Sequence, residues 1–300
     1  MGKTLIGICT FGLLEFTKLT VESMKETIKS PVDYCIVVGK PGDFETIKWA
    51  LENNIHMIIH DQNYGFPKGI NDLYDYAWKE NNYDYLIISG PDIIAYPNTI
   101  DLLIDKADNS DWEWISSSQF DVKSLVNMYP ETKEFFHGAN LTFNDFGTAT
   151  PWMAHRDWDR PESIEPNVIK DVHNLCLYKK SVMDTIGYID TAFFPAYYSD
   201  NDYARRGVNA NLKTCALGNS VYFHFWSRTL HQGSSVSNDK YFNNNRKYYI
   251  MKWGGDFSKE RWTLPFNGTD QIIDGVHYRG SLNIESRDNE MEIINYWRAR

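Results

Sequence analysis

Two aspartates close together in an aromatic segment are the residues best suited to chemistry. Asp200 and Asp202 lie within residues 193–206, among aromatic side chains and arginines. A carboxylate in apolar surroundings can stay ionised although it is poorly solvated, and it then accepts a proton readily. A structural interpretation is equally open. Ser199 and Asp202 fit a capping box, and Asp202 can pair with an arginine one helical turn on.

The size and charge of the chain limit its function. Its 300 residues, 42% of them hydrophobic and 15% aromatic, are enough for one large domain or two modest ones. A formal net charge of -10 disfavours broad electrostatic binding to nucleic acid or to an anionic membrane. No apolar stretch approaches the ~20 residues of a membrane-spanning helix, and no signal peptide is evident. We therefore expect a soluble protein of the cytoplasm.

The cysteines fit a reducing compartment. Cys9, Cys35, Cys176 and Cys215 all lie in apolar segments, and none forms a Cys-x-x-Cys pair. A zinc or redox site is therefore not expected, and buried free thiols are.

Short apolar segments alternate with segments of helical spacing over about the first 110 residues. The pattern predicts strands at residues 5–10, 34–38, 55–59 and 85–89 and helices at residues 14–28, 44–53, 69–80 and 98–107. Such alternation is typical of a parallel sheet covered by helices on both faces. Ligands bind beyond the carboxyl ends of such strands, which are here followed by Thr10, Gly39, Asp61 and Pro91.

The second part of the chain has a less regular pattern. Between about residues 112 and 160, aromatic residues, Asn, Gly and His replace the alternation, and we expect long loops over the crevice. An apolar run then ends at His224. Beyond residue 229 the composition predicts a tail packed on the main domain, with a helix near residues 240–253.

With these elements in place, the order of short motifs resembles that of the family 2 glycosyltransferases, which have the GT-A fold. The similarity covers roughly residues 4–230, and six motifs carry it: Thr10-Phe11-Gly12, Asn63-Tyr64-Gly65-Phe66, Ser89-Gly90-Pro91-Asp92, Gly187-Tyr188-Ile189-Asp190, Ser199-Asp200-Asn201-Asp202 with Arg206, and His224. The resemblance implies an α/β, Rossmann-like fold with a mixed, mainly parallel sheet flanked by helices. It implies a GT-A domain at residues 1–230, with a nucleotide-sugar half at about 1–110 and an acceptor half at about 111–230. Residues 231–300 are then a C-terminal extension.

The same resemblance implies a hexosyltransferase-like enzyme. It would move a sugar with inversion from a nucleotide-diphosphate sugar to the hydroxyl of a glycan or other acceptor. Asp200 matches the family's general base, and Asp92 and His224 match ligands of a divalent metal, Mn2+ or Mg2+. The donor contacts implied are Thr10, Phe11, Gly39, Asp61, Asn63, Gly65, Lys68, Asn71, Pro91, Asp92 and Arg228. The acceptor contacts implied are Trp152, Tyr198, Asp202 and Trp226.

Three positions depart from the family pattern. Gly39 stands where an Asp usually contacts the nucleotide base, Gly90 where the first carboxylate of Asp-x-Asp is expected, and Ser199 where a Glu precedes the base. These departures keep open a non-catalytic carbohydrate- or nucleotide-binding module on the same fold. The other alternative is a transferase that acts on hydroxymethylated DNA bases, which needs a basic face built from Lys123, Lys133, Arg156 and Arg160.

Single residues also have structural interpretations. Asp92 can be a helix cap or turn residue, and His224 can be a core histidine with satisfied hydrogen bonds. The loop that contains Asn63 can be a plain turn. Most tryptophans are expected in the core, although flat aromatic rings also bury the apolar faces of sugars.

Overall fold

The first half of the chain alternates strands and helices, as the sequence predicts. The structure is a computed structural model that describes residues 2–120, 162–224, 239–268, 271–273 and 276–278. Its first elements are β1 (Thr4–Thr10), α1 (Leu14–Thr27), β2 (Val32–Val38), α2 (Phe44–Glu52), β3 (His56–Ile59), α3 (Phe66–Asp75), β4 (Tyr85–Ser89), β5 (Ile93–Ala95) and α4 (Thr99–Asp108). A π-helical turn, Tyr76–Glu80, continues α3. Each predicted strand and helix of this half is confirmed, and only the short β5 is additional.

The second half combines shorter strands with three helices among the described residues. They are β6 (Trp114–Phe120), β7 (Ile164–Pro166), β8 (Cys176–Lys179), α5 (Lys180–Ile186), α6 (Ser199–Asn209), β9 (Thr214–His224), α7 (Asp239–Trp253), β10 (Gln271–Ile273) and β11 (Val276–Tyr278). The helix predicted near residues 240–253 is confirmed as α7.

One mixed sheet organises the fold. Its strands run in the order β3-β2-β1-β4-β8-β6-β9-β5, and β7 pairs with β9. The strands β1 to β4 are parallel, β8 is antiparallel to both β4 and β6, and β6 is parallel to β9. The predicted mixed sheet flanked by helices is confirmed. Because the first four strands are parallel, their carboxyl ends meet at one edge.

Two apolar layers cover the two faces of the sheet, since successive residues of a strand point to opposite faces. In β1, Ile6 and Ile8 pack in the layer that includes α1, α2 and α4. Leu5 and Cys9 pack in the layer that includes α3, α5 and α6. Full burial of one such aliphatic side chain contributes about 1.5–3 kcal/mol, so both layers fix the strand ends on which a site can be built.

Strand β6 corrects the expectation of loops from residue 112. Residues Trp114–Phe120 form a strand inside the sheet. Its serines conceal the strand in the sequence, because they are polar and yet Ser117 is fully buried. Ser117 Oγ lies 2.8 Å from Ser220 Oγ, and Ser118 Oγ donates to a backbone carbonyl of β9. Hydroxyls that are satisfied across strands can be buried at little cost, and local sequence does not show those partners.

All four cysteines are free and buried, as predicted. Burial raises the pKa of Cys176 and of Cys215 to about 11, so these thiols are poor nucleophiles at neutral pH. In the part of the chain that the structure describes, no helix has the length and apolar character needed to cross a bilayer.

Candidate active site

A cavity of about 400 Å³ opens where the parallel strands end. Thr10 and Phe11 line it directly after β1, and Gly39 lines it after β2. Pro91 and Asp92 line it after β4. Ligands of α/β sheets bind in this position, so the cavity is the natural place for a substrate.

The pairing of β5 with β9 brings Asp92 and His224 together. Ile93 is in register with His224, the last residue of β9. His224 Nε2 lies 3.3 Å from Asp92 Oδ1, and its Nδ1 lies 3.0 Å from Gln119 Oε1. The amide oxygen of Gln119 only accepts hydrogen bonds, so Nδ1 carries the hydrogen. Nε2 and the carboxylate oxygen then require a proton or a cation between them.

The geometry of this pair fits a divalent cation. Two adjacent ligands of an octahedral ion, each at ~2.1 Å, lie about 3 Å apart. A carboxylate suits Mg2+ or Mn2+, and imidazole nitrogen is a common additional ligand. Within the described residues, no cluster of three or more His, Cys, Asp or Glu side chains suits a metal. Substrate oxygens and water would therefore have to complete the coordination of an ion at this pair.

Asp200 lies in the first turn of α6 and lines the same cavity. Its Oδ1 atom is buried, and no group among the described residues forms a hydrogen bond with it. Burial raises the pKa of Asp200 above the ordinary value of an aspartate, and the backbone N–H groups of Asn201 and Asp200 offset part of this rise. A poorly solvated carboxylate oxygen is a good proton acceptor, so this side chain suits general-base chemistry.

His173 and Asn174 line the cavity, although the sequence analysis did not identify them. The imidazole of His173 is buried, and burial lowers its pKa to about 3, so the ring is neutral at neutral pH. Asn174 Oδ1 accepts from the N–H of Gly90, which ties this segment to the turn that carries Asp92. His173 has a left-handed backbone, with φ at 63°. No motif or periodicity signals such a segment, because its contacts come from distant parts of the chain.

The loop before α3 packs against residues 194–198, here called the pre-α6 turn. Asn63 and Gly65 both line the cavity, and Gly65 has a φ of 84°. A Cβ at Gly65 would lie 2.9 Å from Phe194 Cδ2 and 3.1 Å from the carbonyl oxygen of Pro195. Glycine is therefore required where two loops of the cavity meet. The sequence analysis had assigned this glycine to close approach of a donor.

Three predicted donor contacts lie outside the cavity lining. Lys68 forms an ion pair with Asp72, one helical turn on in α3. The amide group of Asn71 donates to the carbonyl of Ile189 and accepts from the N–H of the same residue. Asp61 is exposed and accepts from a tyrosine hydroxyl. Their roles in donor binding stay predictions.

Two predicted acceptor contacts face the C-terminal helix instead of the cavity. Asp202 is fully buried and accepts from Trp253 Nε1 at 2.9 Å and from Arg206 Nε at 3.0 Å. The predicted pairing of Asp202 with an arginine one turn on is therefore confirmed. The ring of Tyr198 packs 5.4 Å from that of Tyr249 in α7.

The predicted capping box at the start of α6 is wrong. The N-cap residue is Tyr198, which has a left-handed backbone with φ at 63°, and no side chain caps the helix there. Asp202 bonds instead to Arg206 and to groups of α7. Charged partners in a buried site form stronger hydrogen bonds than a helix-terminal N–H, and only the packing of α7 supplies them.

The cavity gathers most of the site predicted from the sequence. The predicted residues that line it are Thr10, Phe11, Gly39, Asn63, Gly65, Pro91, Asp92, Asp200 and His224. Trp152, Trp226 and Arg228 lie outside the described residues, as do Lys123, Lys133, Arg156 and Arg160 of the basic face.

Similarities to known proteins agree with this architecture. No protein-family model matches the chain. The structure is similar to a mannosyltransferase of Pyrobaculum calidifontis solved with GDP-Man and Mn2+, with a TM-score of 0.52 and 8% identity over 83% of this chain and 62% of that one. It is similar to GalNAc-T7 with UDP, GalNAc and Mn2+, with a TM-score of 0.52 and 11% identity over 84% and 50%. A 1–349 fragment of S. aureus TarS gives 0.51 and 10% over 81% and 71%.

The chain has the GT-A glycosyltransferase fold. One curated relative also matches in sequence: the low-salt glycan biosynthesis hexosyltransferase Agl10 of Haloferax volcanii, 23% identical over 193 residues. The match covers 62% of this chain and 58% of that protein. The GT-A domain of this chain thus spans about three fifths of the length of Agl10 and of the mannosyltransferase.

Proposed function

We propose that this chain is an inverting glycosyltransferase that moves a hexose from a nucleotide-diphosphate sugar to an acceptor hydroxyl. The observation that carries the proposal is the joint presence in one cavity of Asp200 and of the Asp92–His224 pair. The first can accept a proton, and the second can hold a cation beside a diphosphate. The names of the structural neighbours, solved with GDP-Man or UDP and with Mn2+, support a donor of this class.

Asp200 acts as the general base in the proposed reaction. Its carboxylate takes the proton of the acceptor hydroxyl while the oxygen attacks the anomeric carbon of the donor. The bond between that carbon and the diphosphate oxygen breaks, and the nucleoside diphosphate leaves with the electron pair. One displacement of this kind inverts the anomeric configuration. The buried and unpartnered Oδ1 of Asp200 supports this role, since it is available to a substrate proton.

Asp92 and His224 are the residues that would hold a divalent ion. Such an ion stabilises negative charge on the departing diphosphate when it is bound. Gln119 fixes the imidazole through Nδ1, so that Nε2 is the nitrogen left for the ion. Arg228 is proposed to balance phosphate charge, as the sequence analysis expected.

The donor occupies the strand ends in this proposal. Thr10, Phe11 and Gly39 lie beyond β1 and β2, on the far side of the β4 turn that carries Asp92. A nucleotide whose diphosphate is at Asp92 can therefore extend its nucleoside toward these residues. Trp152 and Trp226 are proposed to contact the acceptor through their aromatic faces. Correct placement of the two substrates would supply much of the rate.

Turnover assays with a panel of nucleotide-diphosphate sugars in Mn2+ test the proposal. Release of nucleoside diphosphate is expected for the true donor, and NMR of the product is expected to show the opposite anomer. Asp200→Asn is expected to lower turnover by ~10²–10⁴-fold and to leave donor affinity nearly unchanged. Asp184→Asn on α5 is the matched control, because this carboxylate is exposed and pairs only with Lys180 in the structure.

Two outcomes would contradict the proposal. Tight donor binding without transfer or hydrolysis would favour a non-catalytic binding module. Full activity in Asp200→Asn would remove this residue from the role of base, even if a transferase activity is found.

A further inference from the structure

The pre-α6 turn contains two consecutive residues with an unusual backbone. Tyr197 and Tyr198 have φ angles of 72° and 63°, in the left-handed region that bulky L residues rarely adopt. Ala196 and Tyr197 line the cavity together with Asp200, which follows two residues after Tyr198. A backbone of this kind persists only where surrounding contacts hold it, and it is concentrated at functional sites.

Asn245 of α7 holds this turn from the side of the C-terminal helix. Its Nδ2 donates to the carbonyl oxygen of Ala196 at 2.5 Å and to that of Tyr197 at 3.2 Å. The side chain is 4% exposed, so both bonds are shielded from water. A single buried amide thus satisfies two consecutive carbonyls of a strained turn. The neighbouring Asn244 is exposed.

Other residues on the same face of α7 contact the segments around the turn. Lys252, seven residues after Asn245, pairs with both Asp190 and Asp202. Tyr241, four residues before Asn245, lines the cavity. Residues with these spacings share one face of a helix. The face of α7 turned toward the site therefore contributes both to the wall of the cavity and to the support of α6.

We propose that Asn245 is a positioning residue, which fixes the pre-α6 turn and thereby holds Asp200 in the cavity. The inference rests on the proposed function, in which Asp200 receives the acceptor proton. It adds that α7, in the C-terminal part of the chain, belongs to the active site. A residue that only anchors the fold would change stability and donor binding together. A positioning residue changes the geometry of proton transfer and therefore kcat.

Hydrogen exchange of Asn245→Ala, with Asn244→Ala as the matched control, tests the contact itself. Amides of residues 196–202 are expected to exchange about tenfold faster in Asn245→Ala, roughly the effect of one lost hydrogen bond. Amides of β1 and β4 are expected to exchange as in the control. Equal protection of residues 196–202 in the two variants would overturn the proposal. If β1 and β4 also exchange faster, Asn245→Ser, which keeps a donor and leaves a smaller void, takes the place of the alanine variant.

Kinetics then test whether the contact serves the reaction. Asn245→Ala is expected to lower kcat about tenfold, whereas its donor Kd stays within about twofold of that of Asn244→Ala. A kcat equal to that of the control, or a loss of donor affinity as large as the loss of kcat, would overturn the positioning role. Absence of turnover in the wild type with every donor would instead refute the proposed function. The exchange experiment would still decide whether Asn245 holds the turn.

Discussion

Lys252 Nζ lies 2.9 Å from Asp202 Oδ1, and 3% and 0% of these two side chains are exposed. The same ammonium group lies 2.6 Å from Asp190 Oδ2. Asp190 precedes the pre-α6 turn and Asp202 follows it, so a single cation of α7 joins both sides of the turn. Without that cation, two carboxylates would be buried beside the cavity with too little positive charge.

Lys252→Met is expected to destabilise the protein by ~3–5 kcal/mol, because removal of one partner leaves buried charge uncompensated. Urea unfolding measures this change in the free energy of unfolding. Lys247→Met is the matched control, since Lys247 lies on the exposed face of the same helix. A loss below about 1 kcal/mol would place the pair among those that contribute like exposed salt bridges.

Acid is expected to remove the contribution of Asp190 to stability. Burial by itself raises the pKa of this carboxyl, but the charge and hydrogen bond of Lys252 outweigh burial and hold the pKa below its ordinary value. A lowered pKa stabilises the fold above the unfolded-state pKa, and this contribution is lost as the pH falls through the folded-state pKa. The difference in unfolding free energy between wild type and Asp190→Asn should be largest near neutrality and shrink below about pH 4. A difference that grows on acidification would contradict this.

Asp200→Asn is expected to keep or raise the melting temperature although it removes activity. Burial raises the pKa of Asp200, so its ionised form is less favourable in the folded protein than in the unfolded chain. A neutral amide avoids this cost at pH 7. For the same reason, wild-type activity should decline on the acid side with an apparent pKa above that of an ordinary aspartate. Thermal unfolding and the pH profile of kcat/KM measure both effects, and a clear drop in melting temperature would show that the carboxylate makes stabilising contacts.

Manganese is expected to strengthen nucleoside-diphosphate binding much more than it binds alone. Asp92 and His224 offer only two ligands, so diphosphate oxygens are needed to complete the coordination. Calorimetry of a nucleoside diphosphate with Mn2+ and with chelator measures the effect, and Asp92→Asn should abolish it. Equal affinities with Mn2+ and with chelator would mean that cationic side chains bind the diphosphate without a metal.

Gly65→Ala is expected to destabilise the protein more than Gly42→Ala. Both glycines have positive φ, at 84° and 71°, so both substitutions carry the cost of a left-handed L residue. A Cβ at Gly42 would approach only Phe44, at 3.9 Å, whereas a Cβ at Gly65 would lie 2.9 Å from Phe194. The steric clash should add ~1–3 kcal/mol to the cost at Gly65. Urea unfolding of both variants measures it, and equal losses would show that the pre-α6 turn moves freely.

Much of the fold could be predicted from the sequence because its signals are local. The apolar segments that form β1 to β4 and the helical spacing between them identify a parallel sheet, and its carboxyl ends locate the cavity. The polar strand β6 could not be recognised, since the partners of Ser117 and Ser118 lie about a hundred residues away. Whether a buried serine is satisfied depends on a strand that is distant in sequence.

The sequence by itself determined the order of the sheet elements and the motifs that bring Asp92, Asp200 and His224 to one edge. Their proximity follows from strand ends and from the pairing of β5 with β9. Only the tertiary structure decided the role of Asp202, because two acidic residues two positions apart have the same local signal. Lys252 and Trp253 of α7 bury Asp202 and supply its partners, whereas Asp200 faces the cavity. Desolvation and partner charge, which separate the two carboxylates, depend on which surfaces pack together and not on neighbours in the chain.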